Sequence, residues 1–129
     1  MLTVETYLDR SGVDGIGLFA ARDIAEGEII WRFHPETEIH YDEKDWRILR
    51  REIAAPCFRA MEKYAYKHRG RYVLDLDDGR FMNHSASAAN VGGGDPMTAL
   101  RPIKRGEELL CDYSLFCDED DPVMAAEWL

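Results

Sequence analysis

Asn83, His84 and Ser85 set an amide, an imidazole and a hydroxyl on consecutive residues, and Cys111 and Tyr113 set a thiol and a phenol two residues apart near the end of the chain. Such groups can act as base, nucleophile, metal ligand or orienting hydrogen-bond donor. Spacing removes most of these roles. Adjacent Ser and His side chains rarely converge, and no nucleophile-elbow sequence surrounds Ser85, which argues against an acyl-transfer triad. His84 has no partner at ligand spacing, and Cys57, Cys111 and Cys117 match neither a zinc pattern nor a disulfide framework, so they read as free thiols of a reducing compartment. Asn83-His84-Ser85 also has the form of a glycosylation sequon, yet the opening MLTVETYLDR carries early acid instead of a basic leader and an apolar block, which predicts no secretory signal. Upstream, Gly15-Ile16-Gly17 lacks the third glycine and following helix of a dinucleotide site. A missing Cβ at such a turn lets backbone groups approach a ligand.

Taken in order, Gly15-Ile16-Gly17, then Arg80-Phe81-Met82-Asn83-His84-Ser85, then Gly106-Glu107-Glu108-Leu109-Leu110 followed by Tyr113, resemble the SET-domain protein lysine methyltransferases. The run Gly17-Leu18-Phe19-Ala20-Ala21-Arg22-Asp23-Ile24-Ala25-Glu26-Gly27-Glu28 is similar to the N-terminal half of that domain, a half shared with small β-clip domains that carry no methyltransferase activity. The resemblance covers Leu2 to Phe116 and departs from the family after Ser85. There the family's cysteine and proline are replaced in Ala86-Ser87-Ala88-Ala89, and Asn90 lies one residue farther on. With only Cys117 beyond Tyr113, the chain is similar to the minimal bacterial and viral forms without flanking zinc modules, and no metal is expected.

The resemblance implies S-adenosyl-L-methionine as cofactor, held by Gly15, Ile16, Gly17, Tyr72, Asn83 and His84. It implies Tyr113 and Tyr72 as catalytic residues, and Cys111, Phe116 and Trp128 as walls of a channel for a substrate lysine. Tyr64 and Tyr66 fit either that groove or the core. The substrate is expected to be a protein or peptide whose lysine sits in a basic segment. A homodimer is implied as well, because minimal members can complete a groove by pairing. Two other readings keep the fold: a non-catalytic peptide- or cofactor-binding module, favoured by the altered segment after Ser85, and transfer to a small molecule or a group other than lysine.

The chemistry explains the interest of Tyr113. A lysine ammonium has no lone pair, and reaching its neutral form at pH 7 costs about 4.6 kcal/mol. A site that transfers a methyl group must favour the neutral amine and aim it in line with the departing sulfur, which a cationic neighbour, an apolar channel and a tyrosine hydroxyl can do together. Cys111, smaller than the Phe or Tyr of many relatives, would leave a methylated amine room to turn and react again.

These residues need strands and turns to bring them together. Residues 3 to 8, 17 to 21 and 29 to 31 are rich in β-formers and separated by Ser11-Gly12, Asp14-Gly15 and Glu26-Gly27-Glu28 turns, which predicts three short strands. Between about 42 and 69 the period changes: Trp46, Leu49 and Ile53, then Phe58, Met61 and Ala65, predict two short amphipathic helices separated by Pro56, their apolar positions facing the core. Strands are expected again at 72 to 76, 97 to 103 and 108 to 113. The result is a mostly β domain with a small helical insert and no βαβ pattern, which excludes a Rossmann-type site. By resemblance it is a β-clip with a C-terminal pseudoknot over residues 2–116, followed by an acidic run and tail over 117–129.

At 129 residues and 46% hydrophobic the chain fits one folded domain. No run of about 18 apolar residues predicts a membrane span, and no targeting signal is seen, so an intracellular, cytoplasmic protein is expected. The formal charge of −9, densest at Asp118-Glu119-Asp120-Asp121, disfavours direct nucleic-acid binding and suits a basic partner, although such a run is most often a solvated loop.

Overall fold

The computed structural model describes residues 1–121 and 124. In chain order, β1 (Thr6–Arg10) and β2 (Ile16–Ala20) form an antiparallel hairpin with Thr6 opposite Ala20 and Arg10 opposite Ile16. β3 (Ile29–Trp31) and β4 (Glu38–Tyr41) follow, then the helices α1 (Glu43–Glu52) and α2 (Ala55–Tyr64). β5 (Tyr66–His68) and β6 (Arg71–Asp75) make a tight hairpin. The short strands β7 (Asn83–His84), β8 (Val91–Gly92), β9 (Met97–Ala99) and β10 (Leu110–Cys111) complete the described fold. Among the described residues no helix is long and apolar enough to cross a membrane.

The expected helical insert is shorter than its sequence pattern suggested. Asp42 caps α1 by accepting from the Asp45 amide, with acids in the first turn and Arg50 and Arg51 in the last, as the helix dipole favours. Pro56 does not separate the helices; it lies in the first turn of α2, where a missing N–H breaks no bond. Residues 66–68, expected in the insert, are the strand β5, because Tyr66 and His68 pair with Val73 and Arg71 and so satisfy their backbone in a sheet. Trp46 and Phe58 are buried, with ring centroids 5.0 Å apart, so both helices close one face of the three-stranded sheet β4-β6-β5.

The five-stranded sheet runs β3-β9-β8-β10-β7, with β10 parallel to both β7 and β8. The late strand therefore enters between two earlier ones, and the loop joining them, residues 85–90, passes over it. This is the threaded arrangement expected of the C-terminal segment. Asn90, 1% exposed, seals it: its side-chain nitrogen donates to the Glu108 carbonyl at 2.8 Å and its oxygen accepts from the Leu110 amide at 2.9 Å. Beneath lies the core of Leu18, Ile24, Ile30, Val91, Ile103 and Leu109.

The acidic run clasps the β5–β6 hairpin. Arg69 and Gly70 both have positive φ, 51° and 75°, the left-handed geometry of a two-residue hairpin turn. The Asp118 carboxylate accepts from both of their amides at 2.8 Å, and Asp121 accepts from the Lys67 amide at 2.6 Å.

Candidate active site

Asn83 begins β7 and reaches across to the turn between β1 and β2. Its side-chain nitrogen lies 3.0 Å from Ser11 Oγ, 3.0 Å from the Asp14 carbonyl, 3.2 Å from the Ile16 carbonyl and 3.3 Å from Glu108 Oε2. Glu108 in turn accepts from Ser11 Oγ at 2.6 Å and from the Gly12 amide at 3.1 Å. The Gly15-Ile16-Gly17 turn and the Asn83 segment are thus one assembly with Glu108 as its anchor. A Cβ at Gly17 would stand 2.5 Å from Glu108 Oε2, so this glycine is required by a carboxylate of the protein itself. Gly15 instead supplies positive φ, 51°. No described residue donates to Asn83 Oδ1, which leaves that oxygen as an acceptor for a ligand.

Tyr113 opens a short 3₁₀ turn capped by Asp112, whose carboxylate accepts from the Ser114 amide at 3.0 Å. The Tyr113 amide donates to His84 Nδ1 at 2.9 Å, placing the imidazole hydrogen on Nε2. Its hydroxyl donates to the Met82 carbonyl at 2.6 Å. The Tyr113 ring lies 5.1 Å from His84 and 5.7 Å from Phe116, centroid to centroid. Burial, above all other causes, holds the phenol well above its ordinary range, so it stays protonated at neutral pH with its lone pairs available.

A cleft of about 980 Å³ runs past these groups, lined among others by Asp14, Tyr66, Asp75, Asn83, Cys111 and Tyr113. One wall is the face of β4-β6-β5 turned away from the helices. Strand alternation puts Glu38, His40, Tyr66, Val73 and Asp75 on that face, because Tyr66 pairs with Val73, His40 with Val73 and Glu38 with Asp75. Tyr66 is held edge-on to Phe116 at 5.3 Å, and burial, followed by the Asp75 and Glu38 carboxylates, raises its hydroxyl far above the usual phenol range.

Tyr72 points to the opposite side of β6 by the same alternation. It borders the cleft but occupies the helix side of β6, stacked on Trp46 at 4.6 Å with the rings 6° from parallel. Tyr66, not Tyr72, is the second tyrosine joined to Tyr113 through Phe116. The signal that could have found it is strand pairing, which the period alone did not reveal. Cys111 borders the cleft while packed in the core, 3% exposed, between His84 and Val91; burial pushes its thiol up to about 12. Phe116 lines the cleft beside Tyr113, and its carbonyl accepts from His68 Nδ1 at 2.5 Å. His84 is buried behind Tyr113, Ile16 is exposed at the turn, and Trp128 lies outside the described residues. Ser11 and Glu108 are the site residues that sequence reasoning passed over, although Glu108 stands inside a motif it singled out.

This threaded β architecture, with Asp14 of the β1–β2 turn, Asn83 and Tyr113 on one cleft, defines a SET domain. The SET domain profile matches residues 15–114, and the chain belongs to that family. It is 30% identical over 135 residues to the histone-lysine N-methyltransferase trr of Drosophila melanogaster, covering 88% of this chain but only 5% of that protein's length. Among solved structures, the polycomb repressive complex 2 of Chaetomium thermophilum aligns over 95% of this chain and 16% of that one, at 25% identity and a TM-score of 0.63. The same complex in an autoinhibited conformation bound to S-adenosylmethionine aligns over 88% of this chain and 16% of that one, at 23% identity and a TM-score of 0.64.

Proposed function

We propose that the chain is an S-adenosyl-L-methionine-dependent protein-lysine N-methyltransferase. The observation that supports it most is the half-buried, protonated Tyr113 hydroxyl, fixed by the Met82 carbonyl at 2.6 Å in an aromatic cleft that Asn83 also lines. The donor set fits the cofactor. Asn83 Oδ1 and the Asp14 carboxylate can receive its ammonium, while the backbone of Gly15–Gly17 and His84 can receive its carboxylate and adenine. When bound, the cofactor supplies an electrophilic methyl on a sulfonium.

The chain's own residues prepare the amine. Because Tyr113 spends its hydrogen on Met82, its oxygen is an acceptor for an N–H of the substrate amine, orienting the nitrogen lone pair away from the hydroxyl. Phe116, Tyr66 and Tyr113 surround that amine with rings, displace water and so favour the neutral form. Cys111 presents a small neutral thiol beside the channel, which leaves space for more than one methyl group. The substrate is a basic protein segment, in keeping with the formal charge of −9 and with the histone named for the Drosophila relative. Pairing of two chains is part of the same reading.

Calorimetric titration with the cofactor and transfer of labelled methyl to histone-derived lysine peptides test the proposal. Tyr113→Phe keeps the ring and removes one hydroxyl, so cofactor binding should persist while turnover falls about a hundredfold or more. Cofactor binding without transfer to any lysine would instead identify a binding module, and a Tyr113→Phe variant as active as wild type would remove Tyr113 from the reaction.

A further inference from the structure

Lys63 lies in the last turn of α2, where the helix dipole accounts for a basic residue but not for where its ammonium goes. The side chain leaves the helical insert and reaches the turn between β1 and β2. A Cβ built on Gly15 would meet Lys63 Nζ at 3.4 Å and, its chain neighbours aside, no other atom within 4 Å. The Tyr64 ring centroid is 5.6 Å from the same ammonium. Among the described residues no ion pair includes Lys63, and the adjacent Glu62 is taken by Arg50 at 2.9 Å. The Gly15 amide donates to no described residue. An ammonium and a backbone amide, both without an acceptor among the described residues, therefore sit at the same glycine. Lys63, Asp14 and Asn83 all line the cleft.

We propose that Lys63 binds the carboxylate at the amino-acid end of the cofactor, so that the helical insert contributes a ligand to the cofactor site. This rests on the reading of the cleft as a site for S-adenosyl-L-methionine and extends it to a residue outside the glycine turn and the Asn83 and Tyr113 segments. The amino-acid end of that cofactor is a zwitterion, and the groups around the turn match both of its charges. Asn83 Oδ1 and the Asp14 carboxylate offer acceptors to its ammonium, while Lys63 Nζ and the Gly15 amide offer donors to its carboxylate. The need for a cation is electrostatic. A chain of formal charge −9, with Asp14 and Glu108 at this turn, repels an anion, and a carboxylate leaving water there has to be met by positive charge. A charge-assisted hydrogen bond from an ammonium meets it, and the flexible four-carbon stem of lysine spans from α2 to the turn. Arg80 is the rival: it also lines the cleft without an ion pair, but its guanidinium lies over the Phe81 ring, 4.9 Å from the centroid.

The test is calorimetric titration of the full chain with S-adenosylmethionine and with its decarboxylated form, which keeps the adenosine, the sulfonium and the ammonium and lacks only the carboxylate. In Lys63→Gln the affinity for S-adenosylmethionine should fall about tenfold, while the affinity for the decarboxylated compound should change by less than about twofold. Lys63→Arg should recover most of the loss. Lys63 is exposed, so both variants leave the core untouched, and the melting transition of each without ligand checks its folding. Equal losses for the two compounds in Lys63→Gln would overturn the proposal, as would no loss for either. Discrimination that vanishes in Arg80→Gln and survives in Lys63→Gln would also overturn it and assign the carboxylate to Arg80. If neither compound binds the wild-type chain, the cofactor reading and the proposal fall together. Discrimination that depends on Lys63, with no methyl transferred to any lysine, would instead overturn the methyltransferase reading and leave the role of Lys63 in place.

Discussion

Glu108 links the glycine turn to the Asn83 segment through a single carboxylate that serves Ser11, Gly12 and Asn83 at once. A carboxylate committed to several partners cannot swing aside without stranding them, so the space at Gly17 is not negotiable. Gly17→Ala would press a Cβ to 2.5 Å from Glu108 Oε2 and 3.0 Å from Ser11 Cβ, and should cost about 1–3 kcal/mol in a denaturant titration. Gly94→Ala is the control, since nothing lies within 4 Å of its added Cβ, and it should stay within about 0.5 kcal/mol of wild type. Equal stability of the two variants would mean that the carboxylate yields freely. Cys111 illustrates a tension of another kind. It borders the channel, yet at 3% exposure it is also a core residue, so Cys111→Tyr would overpack the sheet and is a poor probe of how many methyl groups are added.

At the scale of elements, the β5–β6 hairpin carries Tyr66 into the cleft and depends on a turn that the chain alone disfavours. Arg69 adopts φ 51°, a region costly for a residue with a Cβ, and the Asp118 carboxylate holds it through the amides of Gly70 and Arg69. Those two backbone bonds lower the Asp118 pKa, the Gly70 bond most. A carboxyl whose folded pKa is depressed stabilises the fold above its unfolded value, and that contribution is lost as pH falls through the folded one. Asp118→Ala should therefore speed hydrogen exchange at the Arg69 and Gly70 amides at neutral pH, whereas acid well below the ordinary aspartate range should do the same to wild type. Unchanged exchange in Asp118→Ala would show that the turn stands without the acidic run.

For the whole molecule, Asp75 sets a pH dependence of opposite sign. Burial, then the Glu38 and Asp77 carboxylates, push it up to about 7 from an ordinary 3.8, while the amino-terminal ammonium pulls weakly the other way. Between those values the folded chain holds a proton that the unfolded chain releases, so stability falls as pH rises from about 4 to about 7 and then levels. Asp75→Asn should flatten this part of the profile and raise the melting temperature at pH 8. A wild-type melting temperature that climbs across the same window after allowance for the other carboxylates, or an Asp75→Asn variant less stable at pH 8, would contradict the burial argument.

How much of this was legible beforehand follows from the reach of each physical signal. Glycine turns, the capped amphipathic helices, the β-rich runs and the ordered Gly15–Gly17, Asn83 and Tyr113 motifs are local in the chain, and from them alone came the mostly β class, the helical insert and the SET resemblance. Tyr66 and Tyr72 are both tyrosines near the same hairpin, and period-2 alternation says only that they point opposite ways. Which of them meets Phe116 was decided when β4 and β5 paired with β6 and the helices claimed one face of the sheet. A two-residue strand such as β10 carries no period at all; its place between β7 and β8 is visible only once Asn90 and the core beneath have closed around it. Glu38 and Asp75 each read as ordinary charged strand residues. Their meeting, buried and facing the cleft, is a product of register between distant segments, and register is set by tertiary packing.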